Sequence, residues 1–514
     1  MVRGGCTTRS PWEVIVIAVP MKLDSSQSAQ ETVALKAAIP DEAFADPRLL
    51  EQLAAWLSVQ RWYAGKGQRQ GPRPKLVGRL VLTDPTAATR IGVLVVLDQA
   101  DHRVLYQLPL TAHPSPVPGL ESALVATLAG DRPVYFYDGP YDPAFARALL
   151  RLILDEDTAR GEPDPAAGIL QALTVQGCRS LAQQRVEICS SRVFGGEQSN
   201  SSIIYELTDA DGTPLRPVIC KVFRTLQHGD NPDVVLLDAL GAAGSRVVPQ
   251  SLGHLSGRWA DADRADGVGS GQLAFAQEFL PDVEDAWRIA TSAAAEGRDF
   301  TAAAHALGEA TAEVHETLAH ALATTPCSPA DIDATVASMK NRLELVIAEV
   351  PGLADLREAI EAVYARAAAS PWPAMQRIHG DLHLGQVLAV PGRGWVLVDF
   401  EGEPLRPMVE RNKPDLPLRD VAGMLRSFDY VTGAQALAHP GLPVTDWSLA
   451  CRRAYVAGYS ARSGHDLRAN RVLLDALEID KAVYEASYEA RNRPDWLSIP
   501  VTAITRLVER ATVG

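Results

Sequence analysis

At 514 residues the chain exceeds what one hydrophobic core supports, so two or three packed units are expected. Hydrophobic residues make up 47% and charged residues 22%, ordinary for a soluble globular protein. A net charge of −14 with no dense Lys/Arg cluster excludes a nucleic-acid partner, although one lysine and a metal ion still suffice to meet a nucleotide.

Residues 1–40 read as a disordered tail. Its apolar run, Val14 to Val19, is six residues long and lacks a signal-peptide cleavage site, and Met21 is an alternative start. No stretch reaches the roughly 18 apolar residues of a membrane span, so no membrane association is expected. Cys6, Cys178, Cys189, Cys220, Cys327 and Cys451 are scattered without a CxxC pair, which fits reduced thiols and a cytoplasmic location.

From Asp41 the chain is patterned. Leu49, Leu50, Leu53, Ala54 and Leu57 mark an amphipathic helix, and the apolar runs Val93–Leu97 and Val104–Leu110 mark strands. Residues 41–160 thus form a first unit, a sheet with a helix. In a second unit, 161–280, strands are predicted at Val186–Val193, Ser202–Leu207, Val218–Phe223 and Leu273–Phe279. Asn231-Pro232-Asp233 opens a helix, with Asn as N-cap and Pro at the first helical position. Residues 260–271 read as a mobile hairpin tip. Residues 281–514 are Ala- and Leu-rich and helical, interrupted by one hairpin between Ile378 and Phe400.

That hairpin carries the chemistry. His379-Gly380-Asp381-Leu382-His383-Leu384-Gly385-Gln386 is followed, across the turn Pro391-Gly392-Arg393-Gly394, by an apolar strand ending in Asp399-Phe400-Glu401. Protein kinases place a catalytic Asp five residues before a metal-binding Asn and follow it with a DFG segment, and Asp381, Gln386 and Asp399 keep that spacing. Phosphoryl transfer needs a carboxylate aimed at the attacking hydroxyl, which Asp381 supplies. It also needs hard oxygen donors for Mg²⁺, supplied by Gln386 and Asp399.

In the second unit Lys221 lies inside the apolar run Val218–Phe223, where a buried ammonium requires an anion. It is read as the nucleotide lysine, with Gln198, Ser199, Asn200 and Ser201 of the preceding turn as further ATP contacts. Gln277, Glu278 and Phe279 are expected to form the hinge between lobes, their backbone groups reading the adenine edge. His379, Asp381 and His383 alternate as in some metal sites, but neighbouring glycines favour a loop. His315, Glu316 and His320 imitate a zinc motif, but the histidines are five apart, which separates them by about 140° round a helix, so they cannot bind one zinc. They are expected on a helix surface.

HGDLHLGQV from His379, VDFEGEP from Val398 and PLRDVAGMLRSFDY from Pro417 resemble the maltokinases. RWYAGKG from Arg61, EQSNSS from Glu197 and YEARNRPDWL from Tyr488 add to the resemblance, which spans residues 45–510. It implies an α+β, bilobal protein-kinase-like fold: an N-terminal α/β cap subdomain, a small intermediate lobe and a mainly helical C-terminal lobe. It further implies ATP- and Mg²⁺-dependent phosphorylation of maltose at the anomeric hydroxyl, feeding α-glucan synthesis. A monomer is expected, and a trehalose-to-maltose isomerase is the one protein partner considered. Glucosamine kinases share the architecture, but DFDGNP is associated with them where this chain has DFEGEP.

Two further readings follow. Kinases pair the strand lysine with a helix Glu. Here NPD is followed by Val234-Val235-Leu236-Leu237-Asp238, leaving Asp233 or Asp238 to substitute; failing both, a pseudokinase-like regulatory subunit is the alternative. Tyr484, Tyr488 and Arg491 share a helical face at i, i+4 and i+7. With the resemblance, Tyr488 and Arg491 are assigned to the sugar, beside His379, Glu401 and Tyr430, in a pocket with room for two rings.

Overall fold

The structure, a computed structural model, describes residues 39–513 apart from 67–69, 83–88, 101–102, 168, 170, 181–185, 196–198, 404–405 and 440–443. Most of the 1–40 segment therefore lies outside the described residues, but Ile39 is already buried in the first core. A short 3₁₀ turn, Asp41–Ala45, leads into helix α1, Pro47–Ser58. The Asp46 side chain accepts from the Arg48 N–H and Pro47 occupies the first turn, the two devices that start a helix cleanly. Leu49, Leu53 and Leu57 recur every four residues and turn one stripe inward.

Strands β1 (Pro74–Leu82), β2 (Arg90–Asp98), β3 (Val104–His113), β4 (Leu124–Leu128) and β5 (Val134–Asp138) form an antiparallel sheet in the order β1-β2-β3-β5-β4. Helix α2, Pro143–Leu154, again capped by an Asp (Asp142) before a Pro, buries nine of its twelve residues. It lies in one core with Val93 and Val95 of β2 and with the strands that follow, so cap and small lobe share apolar packing.

The second sheet contains β6 (Thr158–Arg160), β7 (Thr174–Arg179), β8 (Val186–Phe194), β9 (Ser201–Asp209) and β10 (Val218–Val222). The short β11 (Thr225–Leu226) crosses back to pair with β3 of the cap. Helix α3 (Pro232–Ala242) and strands β12 (Ser251–Ala260) and β13 (Val268–Glu278) complete the lobe, with sheet order β6-β7-β12-β13-β10-β9-β8. The segment read as a hairpin tip is thus the end of β12, a turn at 261–267 and the start of β13.

Beyond the lobe junction come β14 (Glu284–Asp285), α4 (Ala286–Ala295), α5 (Thr301–Ala321), α6 (Pro329–Glu349) and α7 (Arg357–Ala368). The hairpin β15 (Val387–Val390) and β16 (Gly394–Leu397) follows, then the short α8 (Met408–Arg411) and α9 (Leu418–Ala438). Helices α10 (Thr445–Ser463), α11 (Arg471–Asn492) and α12 (Ser498–Val513) end the chain. Helices α5 and α10 approach backbone to backbone: a Cβ at Gly308 would overlap the Tyr455 carbonyl, and one at Gly458 the His305 carbonyl. No described helix is long and apolar enough to cross a membrane.

Candidate active site

Strand alternation decides where Lys221 points. Val218, Cys220 and Val222 enter the apolar core, leaving Lys221 on the opposite face of β10. There its Nζ lies 2.8 Å from Asp233 Oδ2, 3.1 Å from Asp399 Oδ1 and 3.7 Å from Glu401 Oε1. The missing helix Glu is thereby answered. Asp233, fully buried in the first turn of α3, is the partner, and its other oxygen accepts the Phe400 N–H at 2.8 Å. Asp238 instead accepts from Ser180 Oγ at 2.7 Å.

Asp399 adopts φ 68°, a conformation that costs a non-glycine residue about 1–3 kcal/mol and persists only when its surroundings impose it. Lys221 holds one carboxylate oxygen, and Gln386 Nε2 donates to the other at 2.9 Å. The Lys221 ammonium, aided by Gln386, keeps the Asp399 carboxyl below its usual range despite burial. Single oxygens of Asp233, Asp399 and Glu401 lie within 4.8 Å of one another, the described residues' one cluster of cation-ligand geometry. Glu401, assigned from sequence to the sugar, thus lies beside Lys221; Arg411 fixes its carbonyl at 3.0 Å.

Asp381 is held from the opposite direction. Lys481 of α11 places Nζ 3.0 Å from Asp381 Oδ1 and 2.7 Å from Glu403 Oε1, and lies 4.9 Å from the Tyr484 ring centroid. Burial alone would lower the Lys481 pKa, but the two carboxylates outweigh it and raise it. Burial likewise would raise Glu403; Lys481 and Arg406 hold it down at about 2. The surrounding niche is lined by Arg342, Arg406, Arg419 and Lys481 and by Asp381, Glu403, Asp420 and Asp480. Its charges are joined in series. Arg406 pairs with Glu403 and Asp415, Arg419 with Asp415 and Asp480, and Arg342 with Asp480. The open space is about 20 Å³, enough for a water molecule, so the expected two-ring pocket is not open in this conformation.

The catalytic segment is pinned from below by Asp420. Its carboxylate accepts the N–H groups of His379 at 2.8 Å and Gly380 at 2.9 Å, and Nε2–H of His315 at 3.0 Å. Burial would raise Asp420, but His315 and these donors hold it below its usual range. His315 is thus buried, with Nδ1 accepting from Tyr459 Oη at 2.9 Å, rather than on a helix surface as its spacing suggested. His379 is also redirected. Its Nε2 donates to the Val398 carbonyl at 3.0 Å and its ring packs 4.5 Å from Phe400, so it ties its own loop to the end of β16. Gly380, at φ 83°, lies where a Cβ would press on Gly402 Cα at 3.3 Å.

Other sugar assignments are corrected by α11. Tyr488 is 44% exposed under Arg493, and Arg491 pairs with Glu349 on the surface. The pocket-facing residues are two turns earlier, Leu477, Asp480 and Lys481. An i, i+4, i+7 pattern identifies a face but not which end of it meets the neighbour. Tyr430 donates to Glu489 at 3.1 Å and stacks on Trp496, away from the niche.

On the nucleotide side, Gln198 lies outside the described residues. Ser199 is exposed, and Asn200, buried, donates to its hydroxyl at 3.4 Å. Ser201 Oγ accepts from Arg224 Nε at 2.9 Å, so it backs the turn. Arg224 is fully buried, its Nη2 donating to both carboxylate oxygens of Asp138 of the cap at 2.7 and 2.8 Å, and is set over Trp62. Arg61 of the cap donates to the Gly195 carbonyl at 3.1 Å. At the hinge, Glu278 binds Arg216 at 2.6 Å and Arg393 at 2.8 Å, a clasp across the lobe junction. The N–H groups of Glu278 and Phe279 already donate to Gln250 and Pro217 carbonyls, so they are not free for adenine. Gln277, buried, stays in register with Ile219 and Ser251, and Phe279 faces Phe194 at 6.2 Å.

A sheet lobe carrying the lysine, a helical lobe carrying the two aspartates and a cleft between them define a protein-kinase-like small-molecule kinase. The maltokinase N-terminal cap domain family matches residues 56–142. A glucosamine kinase of Streptacidiphilus jiangxiensis is 30% identical over 370 residues, covering 68% of this chain and 78% of that protein. A second, from Mycolicibacterium smegmatis, is 29% identical over 335 residues, covering 62% and 79%. The chain belongs to this maltokinase-type kinase family. Solved structures agree on the fold. One glucosamine kinase crystal form aligns at TM-score 0.61 and 22% identity, over 90% of this chain and all of that one. Another structure, with glucosamine, ADP and inorganic phosphate, aligns at TM-score 0.57 and 22% identity, over 81% and 92%.

Proposed function

We propose that the chain transfers the γ-phosphoryl group of ATP to a hydroxyl of a neutral sugar, with maltose as acceptor and its anomeric hydroxyl as nucleophile. The observation that carries this reading is the charge contrast across the cleft. Three carboxylates crowd one lysine on the nucleotide side, whereas the niche at Asp381 matches four cations against four carboxylates. Asp381 takes the acceptor's proton as its oxygen bonds to the γ-phosphorus and the bond to the β-phosphate bridge breaks, releasing ADP. Lys221 meets the phosphates. The hard oxygens of Asp399, Glu401 and the Gln386 amide suit Mg²⁺, which when bound neutralises phosphate charge. With Asp233 holding Lys221, the pseudokinase alternative loses its motive.

Glucosamine is the second reading, because both relatives named above carry that name. An ammonium sugar calls for a surplus of carboxylate, which the balanced niche does not offer. A monomeric, cytoplasmic enzyme fed maltose by a trehalose-to-maltose isomerase is the setting this proposal implies. The test is ADP release against maltose, glucose and glucosamine, with the phosphate position of the product read by NMR. Maltose preferred and phosphorylated at the anomeric carbon is the expected outcome; glucosamine outcompeting maltose overturns the choice of sugar.

A further inference from the structure

We propose that Lys481 is the positioning residue of the base, holding Asp381 by one oxygen so that the other meets the acceptor hydroxyl. The inference rests on Asp381 being the base. Three observations converge on it. The Lys481 ammonium reaches Asp381 Oδ1 and Glu403 Oε1 at 3.0 and 2.7 Å, so two carboxylates fix its position. Glu403 is itself clamped by Arg406 at 3.0 Å, which makes the strut rigid beyond its first contact. Tyr484, one turn along α11, places its ring against the ammonium and closes that side.

A carboxylate on a loop has a free χ rotation, and general-base efficiency depends on its aim. Asp420 fixes the backbone of the segment at His379 and Gly380 but touches no atom of the Asp381 carboxylate. Lys481 is the contact that orients the carboxylate itself. Asp381 and Glu403 in turn keep the Lys481 ammonium charged despite its burial. The groups facing Asp381 are Lys481, Tyr484 and Asp480 from α11, Glu403 and Arg406 from the segment after β16, Arg342 from α6, Arg419 and Asp420 from α9, and His379 and His383 on its own loop.

Lys481→Gln removes the charge. Lys481→Gln/Glu403→Gln removes it together with one partner carboxylate, so the buried charge stays balanced and the fold is protected. Both are expected to lower kcat about tenfold or more, to leave KM for ATP within twofold, and to move the acid limb of the kcat–pH profile to higher pH. Lys481→Arg should recover most of kcat and return the limb. Asp381→Asn is measured beside them. If it is inactive while Lys481→Gln keeps wild-type kcat and profile, the strut is refuted and the base stands; if it is active, the base assignment itself fails. A Lys481→Gln enzyme faster than wild type would show that the lysine blocks Asp381, and an Arg variant as slow as Gln with an unmoved limb would show packing alone. Either result overturns the proposal.

Discussion

The two sides of the cleft are built from opposite electrostatics. On the nucleotide side, Asp233, Asp399 and Glu401 converge on Lys221. On the acceptor side every charge has an opposite neighbour, in a chain running from Asp381 through Lys481, Glu403, Arg406, Asp415, Arg419 and Asp480 to Arg342. Converging carboxylate oxygens suit a metal cation, while a neutralised wall offers donors and acceptors without attracting net charge. One segment of chain, from Gly380 to Glu403, serves both sides. A division of labour between neighbouring residues therefore follows, and it can be broken one residue at a time.

The largest effect is expected at the base. Asp381→Asn should lower kcat at least about 10²-fold with KM for ATP little changed, measured by coupled ADP release. Near-normal turnover would dissolve the acceptor side as drawn. Next comes the floor shared by both sides. Asp420→Asn deprives His315 and two backbone N–H groups of a buried carboxylate, which should cost about 2–3 kcal/mol in denaturant unfolding. An unchanged midpoint would mean that the segment does not depend on it.

Asp233→Asn keeps the hydrogen bond to Phe400 but loosens Lys221, so KM for ATP should rise about tenfold while KM for the sugar stays put, since the lost charge–charge contact is buried. Equal changes in both would erase the distinction between sides. The smallest effects are expected at Tyr488→Ala and Arg491→Ala, less than about twofold in either KM, because both side chains are at the surface. A large rise in KM for the sugar would restore them to the pocket.

What sequence alone reveals divides along the same line. Asp381, Gln386 and Asp399 are legible because one short hairpin fixes their spacing, and Lys221 because a charge interrupts an apolar strand. Asp233 was visible as a candidate through the Asn-Pro-Asp helix start. Lys481 was not visible: on α11 it is one charge among many, and it matters only because tertiary packing brings it 100 positions back to Asp381. Tyr488 and Arg491 show the converse error, a periodic face extended past the part of the helix that meets the loop. His315 misled for a related reason, since burial against α9 and α10 is a property of the packed helices.

The partition is tested most directly by calorimetric titration of Mg·ATP into two variants side by side. Asp381→Asn should bind with wild-type affinity, because its carboxylate is held by Lys481 and not by Lys221, and Asp399→Ala should lose magnesium-dependent binding. Loss of Mg·ATP binding in Asp381→Asn, or its retention in Asp399→Ala, would contradict the account.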